Sequence, residues 1–212
     1  MINLEKHFPP RPWSRERALS YAGMKLAFEL LELERAYSEE LARLRTTIET
    51  KQLVWEEKYC LALSLQAFLL HICRRGLARN LESAELSTVC NTMATFAAKT
   101  TAHNWSPRSG EDDSATVRAI IGNYNQTGAT LAAFPLLSER QVETRGTFDP
   151  TQDTGAEFGL ARALAEDLTA SKGNTDAYKK YLFHLTMLIP DAEVWMLERV
   201  AGVVAGLRIN FE

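Results

Sequence analysis

Cysteine is scarce in this chain, three residues in 212, and the three have no regular spacing. That argues against a disulfide framework and for reduced thiols that pack as small hydrophobes, in a reducing, cytoplasmic compartment. Glycine and proline are also few, 11 and 7, while hydrophobic residues make up 46%. A disordered or low-complexity chain has the opposite balance, so an ordered globular protein is expected.

Positive charge is not in excess: 24 Lys and Arg stand against 27 Asp and Glu, for a net charge of -3. No general attraction to polyanions follows, and a nucleic-acid role would need a local basic face. Long apolar runs are missing too. The longest, "YCLALSLQAFLLHIC" at 59–73, is interrupted by Ser64, Gln66 and His71 and falls short of the roughly 20 residues of a bilayer span. It reads as a core helix rather than a membrane segment. "MINLEKHFPPRPW" at the N-terminus lacks the unbroken apolar stretch of a secretory leader.

Common catalytic and cofactor signatures are absent as well. There is no P-loop, no dinucleotide-binding glycine pattern, no nucleophile elbow, no HExxH and no SxxK. None of His7, His71, His103 or His184 has a glutamate three residues before it, which argues against a ferritin-like di-iron site. "DPTQDTGAE" from Asp149 has its glycine and its last ligand position wrong for a calcium loop. No metal and no cofactor are expected.

Helical periodicity is what the chain has in abundance. After an extended arm, 1–13, containing the proline-rich "FPPRP", Ser14 suits a helix N-cap. Leu19, Leu26, Leu30, Leu33, Tyr37, Leu41, Leu44 and Ile48 then keep the 3.6-residue period of one helix face over 14–48. The segment 51–79 becomes apolar on nearly every side from Cys60 to Cys73, the pattern of a central buried helix. A third helix is expected over 83–99, then a loop over 100–114.

Helical spacing resumes from Val117 to Leu131, with a kink or split expected at "GNYNQTG". The break at 135–154 is the natural subdomain boundary, and "QVETRGTF" within it has strand character. Thr154 and Glu157 match a capping box for a helix over 155–171 that stops at Gly173. Asn174 or Thr175 opens another, ended by Pro190. Asp191 caps the last, over 192–207, with Val194, Leu197, Ala201, Val204 and Leu207 inward. The expected fold is an all-α, six- to seven-helix bundle in a single domain.

One stretch suggests chemistry. "HICRRGLARN" places Arg79 six residues after Cys73, the spacing of cysteine phosphatases, which hold a phosphate over a thiolate at a strand-to-helix loop. Here the cysteine follows some twenty residues of helical pattern, and chance gives this spacing in about one such chain in four. Cys73 therefore reads as core, with Arg74, Arg75 and Arg79 closing a helix whose negative dipole end favours cations. These arginines remain candidates for holding an anion or an acidic partner.

By elimination, the leading expectation is a soluble, non-enzymatic helical interaction protein with a protein partner or its own copies. It would use the long first helix and the arginine cluster. The alternative is a pocket inside the bundle, built on His71, Cys73, His184 and Tyr181, with Tyr124 and Tyr178 as further polar groups. A third reading is nucleic-acid binding through the three arginines.

Overall fold

In the structure, a computed structural model, residues 14–105, 113–134, 136, 155–169 and 173–209 are described. They form six helices and no strand: α1 (Arg15–Glu49), α2 (Trp55–Ala78), α3 (Ser83–Trp105), α4 (Asp113–Leu131), α5 (Ala156–Leu168) and α6 (Thr175–Ile209). The fold is an all-α bundle, as the periodicity requires. The arm 1–13, the expected boundary at 135–154 apart from Leu136, "QVETRGTF" and most of the "DPTQDTGAE" loop lie outside the described residues.

Ser14 caps α1 as expected, its hydroxyl accepting from the Arg17 amide at 3.3 Å. Leu19, Leu26, Leu30, Leu33 and Leu41 of the anticipated stripe are buried, while Tyr37, Leu44 and Ile48 are packed at its margin. α2 is the centre of the molecule and packs against all five other helices. By length and composition it is the one described helix that could cross a membrane; here its apolar flanks are covered by protein, as in the core of a bundle.

Long-range bonds fix the ends. Arg15, at the start of α1, pairs with Glu85 at the start of α3 at 2.7 Å and donates to the Leu207 carbonyl near the end of α6 at 3.4 Å. Arg208 donates to Asn80, just past α2, at 3.1 Å. At the other end Trp105 closes α3 against Trp55 and Tyr59 at the start of α2, with centroids 5.8 and 5.7 Å away. So α1 and α3 end where α2 and α6 begin.

Several local expectations are corrected. α3 continues through "TTAHNW" to Trp105, because Thr101 and Ala102 are buried in phase with Val89, Met93, Ala97 and Ala98. α4 runs unbroken through "GNYNQTG", held by buried Ile120, Tyr124 and Leu131. The N-cap of α5 is Gly155, one residue later than the capping-box reading, and Glu157 is fully buried.

Pro190 does not end a helix; it sits inside the 35-residue α6. A proline removes one backbone bond and costs about 3 kcal/mol, whereas Tyr181, Leu182, Leu185, Ile189, Ala192, Met196 and Val200 are all buried on both sides of it. Packing therefore overrides the break. Continuing the helix also changes its phase: Val194 is 57% exposed and Ala201 exposed, not inward.

Two glycines permit close helix approach. A Cβ on Gly23 of α1 would lie 2.7 Å from the Val89 carbonyl oxygen and 2.8 Å from Thr92 Cβ of α3. Gly76 is buried in α2, where a Cβ would meet the side-chain ends of Leu197 and Val200 at 3.0 and 3.1 Å. Backbone cannot yield as side-chain ends can. Gly23→Ala should therefore lower unfolding free energy by about 2 kcal/mol in urea melts despite alanine's better helix propensity, and Gly76→Ala should change it by less than about 1 kcal/mol. Equal losses would refute this reading of the α1–α3 contact.

Candidate functional site

The structure disperses the residues singled out for chemistry. His71 and Cys73 are buried in α2, two positions apart and so about 200° around the helix. Tyr181 is buried at the opposite end of the bundle, where its hydroxyl donates to Glu49 Oε2 at 2.9 Å, in the electrostatic reach of Glu57. Glu57 and His71 lie about 21 Å apart along α2. His184 is exposed on α6, edge-on to Phe183 at 5.7 Å. Tyr178 is half-buried in a surface cleft at the start of α6.

Cys73 is unsuited to thiolate chemistry. Complete burial holds its thiol well above the ordinary range, and burial likewise pushes Cys90 up to about 11, against the opposing charge of Arg74. A nucleophilic cysteine needs the reverse shift. Cys60 alone of the three is exposed.

Arg74 and Arg79 are exposed and Arg75 half-buried at the end of α2. Arg79 is the helix C-cap, and Asn80 donates to the Gly76 carbonyl at 3.2 Å. Neither Arg75 nor Arg79 is free of other contacts. Arg208 joins them through Asn80, making this a basic end of the molecule.

Two polar clusters inside the bundle were not foreseen. At mid-height Gln66 Nε2 donates to Glu34 Oε2 at 3.1 Å, while Gln66 Oε1 accepts from Thr101 at 3.0 Å and from the Tyr124 hydroxyl. Ser38 donates to the other Glu34 oxygen at 2.7 Å. Residues of α1, α2, α3 and α4 are thus tied together, two of them from α1, and burial drives the Tyr124 phenol far upward. The groups satisfy one another, which suits a device that sets helix register.

At the far end Arg45 of α1 is the hub. Its guanidinium donates to the Leu168 carbonyl at the end of α5 and contacts Glu49 at 3.4 Å and Glu57 at 3.5 Å. Glu49 in turn accepts from Tyr181 and from Asn174 at 3.5 Å. Asn174 caps α6, its side chain accepting from the Ala177 amide at 3.2 Å. Beside this hub lies an open cleft of about 500 Å³ lined by Glu166, Asp167, Thr169, Asn174, Thr175 and Tyr178. Burial, then the charge of Glu166, raises Asp167 above its ordinary value. This end is acidic.

The clearest feature that internal packing does not use is on α6. Phe183 and Met187 are each 66% exposed and Val194 57%. At 100° per residue these three fall within about 40° of one another, and half-buried Pro190 with exposed Ala201 and Ala205 widens the band to only about 60°. The apolar stripe is about 33 Å long.

Comparison with family models, characterised proteins and solved structures finds no match.

The flanks of the stripe are polar and partly occupied. Trp195 carries the Arg199 guanidinium 4.5 Å from its ring centroid, and Arg199 contacts Glu29 of α1 at 3.6 Å. Asp191 lies near Tyr37 of α1, whose phenol is pushed up to about 12 by burial and then by that charge. The other exposed apolar pair, Val54 and Trp55, differs: Trp55 already stacks on Tyr59 at 5.6 Å and meets Trp105. What distinguishes the α6 face is large side chains held outward in a row. A solitary exposed Leu would need no account, but a contiguous row is a contact surface.

Proposed function

We propose that this protein is a non-enzymatic helical interaction protein whose docking surface is the outer face of α6. The exposure of Phe183, Met187 and Val194 in one row carries this reading. Burying the exposed parts of three such side chains against a partner is worth roughly 3–5 kcal/mol. Ordering costs little, since the helix already exists. The first helix is the weaker surface, because no exposed large hydrophobic side chain lies on it among the described residues. The basic end at Arg74, Arg79 and Arg208 adjoins the stripe's C-terminal limit and would receive acidic groups of whatever docks there.

The test replaces Phe183, Met187 and Val194 together by Ser, Ser and Thr. Exposed positions tolerate such changes within about 0.5 kcal/mol each, so the melting temperature should stay within a few degrees. The wild-type chain should be recovered with a stoichiometric protein companion, counting its own copies, and the variant without it. A wild-type chain that remains a lone monomer by light scattering at about 100 µM and retains nothing in affinity capture would overturn the reading.

A further inference from the structure

We infer that the partner on the α6 face is a second copy of this chain, laid antiparallel across a two-fold axis at Ala192. This rests on α6 being a docking face and adds who occupies it. The stripe is bracketed by opposite charges at its two ends. Asp176 and Arg208 are exposed, fall in the same angular band as Phe183 and Val194, and each lies 16 residues from Ala192. An antiparallel copy therefore sets Asp176 of each protomer against Arg208 of the other, twice.

Four of the six apolar positions obey the same symmetry, while Met187 comes level with Leu197 and Ala205 with Lys179 of the other copy. Phe183 and Ala201 are nine residues either side of Ala192, and Pro190 and Val194 are two either side. A large ring thus meets a small alanine, and the two central residues meet each other, with no bulky pair colliding at the ends. An isologous contact requires this kind of self-complementarity. On one flank Glu198 of each protomer comes level with His184 of the other, about 3 Å apart along the axis.

Charge on the neighbouring elements points the same way. The start of α6 adjoins the acidic cleft with Glu166 and Asp167, and its end adjoins Arg79 and Asn80 at the basic end of α2. Antiparallel pairing turns the Glu166 and Asp167 cleft wall of one copy, with exposed Lys179 and Lys180 beside it, toward the basic end of the other. Parallel pairing would stack like on like. Among the described residues Asp176 pairs with Lys180 at 2.8 Å, both side chains more than half exposed, a pair too weak to hold it from a partner.

Charge reversal decides the matter. Sedimentation equilibrium of the full chain should show a dimer at about 10 µM, and Asp176→Arg or Arg208→Asp alone should each raise its dissociation constant by about 10-fold or more. An equal mixture of the two single variants should restore association to within about 3-fold of wild type, because each mixed dimer regains both opposite-charge pairs; so should the double variant. Met187→Asp, between Phe183 and Val194 on the stripe, should abolish the dimer with its helical circular dichroism unchanged. If the single variants dimerise as well as wild type, or the mixture fails to rescue, this arrangement is wrong. A chain monomeric at every concentration, whose Met187→Asp form loses some other protein companion, would remove the second copy as occupant and leave the docking face standing.

Discussion

Gln66→Leu is expected to lower unfolding free energy by about 3–5 kcal/mol, read as a fall of about 10 °C in melting temperature for a chain of this length. Leucine nearly matches glutamine in volume, so the change leaves no cavity and isolates the polar term. Gln66 is 1% exposed, and its amide is the link between the Glu34 carboxylate on one side and the Thr101 and Tyr124 hydroxyls on the other. Without it, one buried carboxylate loses a donor and two buried hydroxyls lose their acceptor. Each such loss costs roughly 1–3 kcal/mol, more for the charged group. Tyr124→Phe alone should cost only about 1 kcal/mol, because Thr101 still satisfies Gln66. Adding Thr101→Val and Tyr124→Phe to Gln66→Leu should then recover part of the loss, since partners removed together strand nothing. A loss below about 1 kcal/mol for Gln66→Leu would show that water reaches these groups and that the cluster does not act as a dry register device.

The helices themselves were legible because apolar periodicity and caps are local. Ser14 and Asn174 begin helices in the way their side chains predict, and the all-round apolarity of 60–73 correctly marked α2 as central. Pro190 shows where local reasoning fails. A single missing backbone bond outweighs nothing once both flanks are buried against α1, α2 and α5. Restarting a helix at Asp191 then turned Val194 and Ala201 inward and concealed the stripe that one continuous phase from Phe183 to Ala205 displays.

The buried polar residues did leave a signal. Glu34 and Arg45 each step by four, from Leu30 and from Leu41, in phase with the buried face of α1, and Gln66 interrupts the most apolar stretch of the chain. A polar residue in the apolar phase must have a partner. Which partner it has depends on how the helices are stacked. Glu34 finds Gln66 some thirty residues away, and Arg45 finds Leu168 more than a hundred away. Periodicity within one helix holds no such information. The same limit applied to His184 and Tyr181, three residues apart in sequence yet one exposed and the other fully buried.

Arg45→Met is expected to be as costly, about 3–5 kcal/mol, for a different reason. The Arg45 side chain is 3% exposed and that of Glu49 6%, so the substitution leaves an interior carboxylate without its guanidinium, with Tyr181 and Asn174 still donating to it. It also uncaps the Leu168 carbonyl, where a guanidinium offsets the negative end of the α5 dipole. Glu57 matters less to this sum: its side chain is 34% exposed and water can replace the arginine. Combining Arg45→Met with Glu49→Gln separates the two contributions, because replacing both members of a buried pair costs less than removing one. Recovery of half the loss or more in urea melts would assign the cost to the stranded Glu49 charge. No recovery would assign it to the α5 terminus; Arg45→Lys, which keeps the charge but presents a single point in place of the planar fork, should then also fail to restore stability, since no one ammonium can serve Leu168 and Glu49 together.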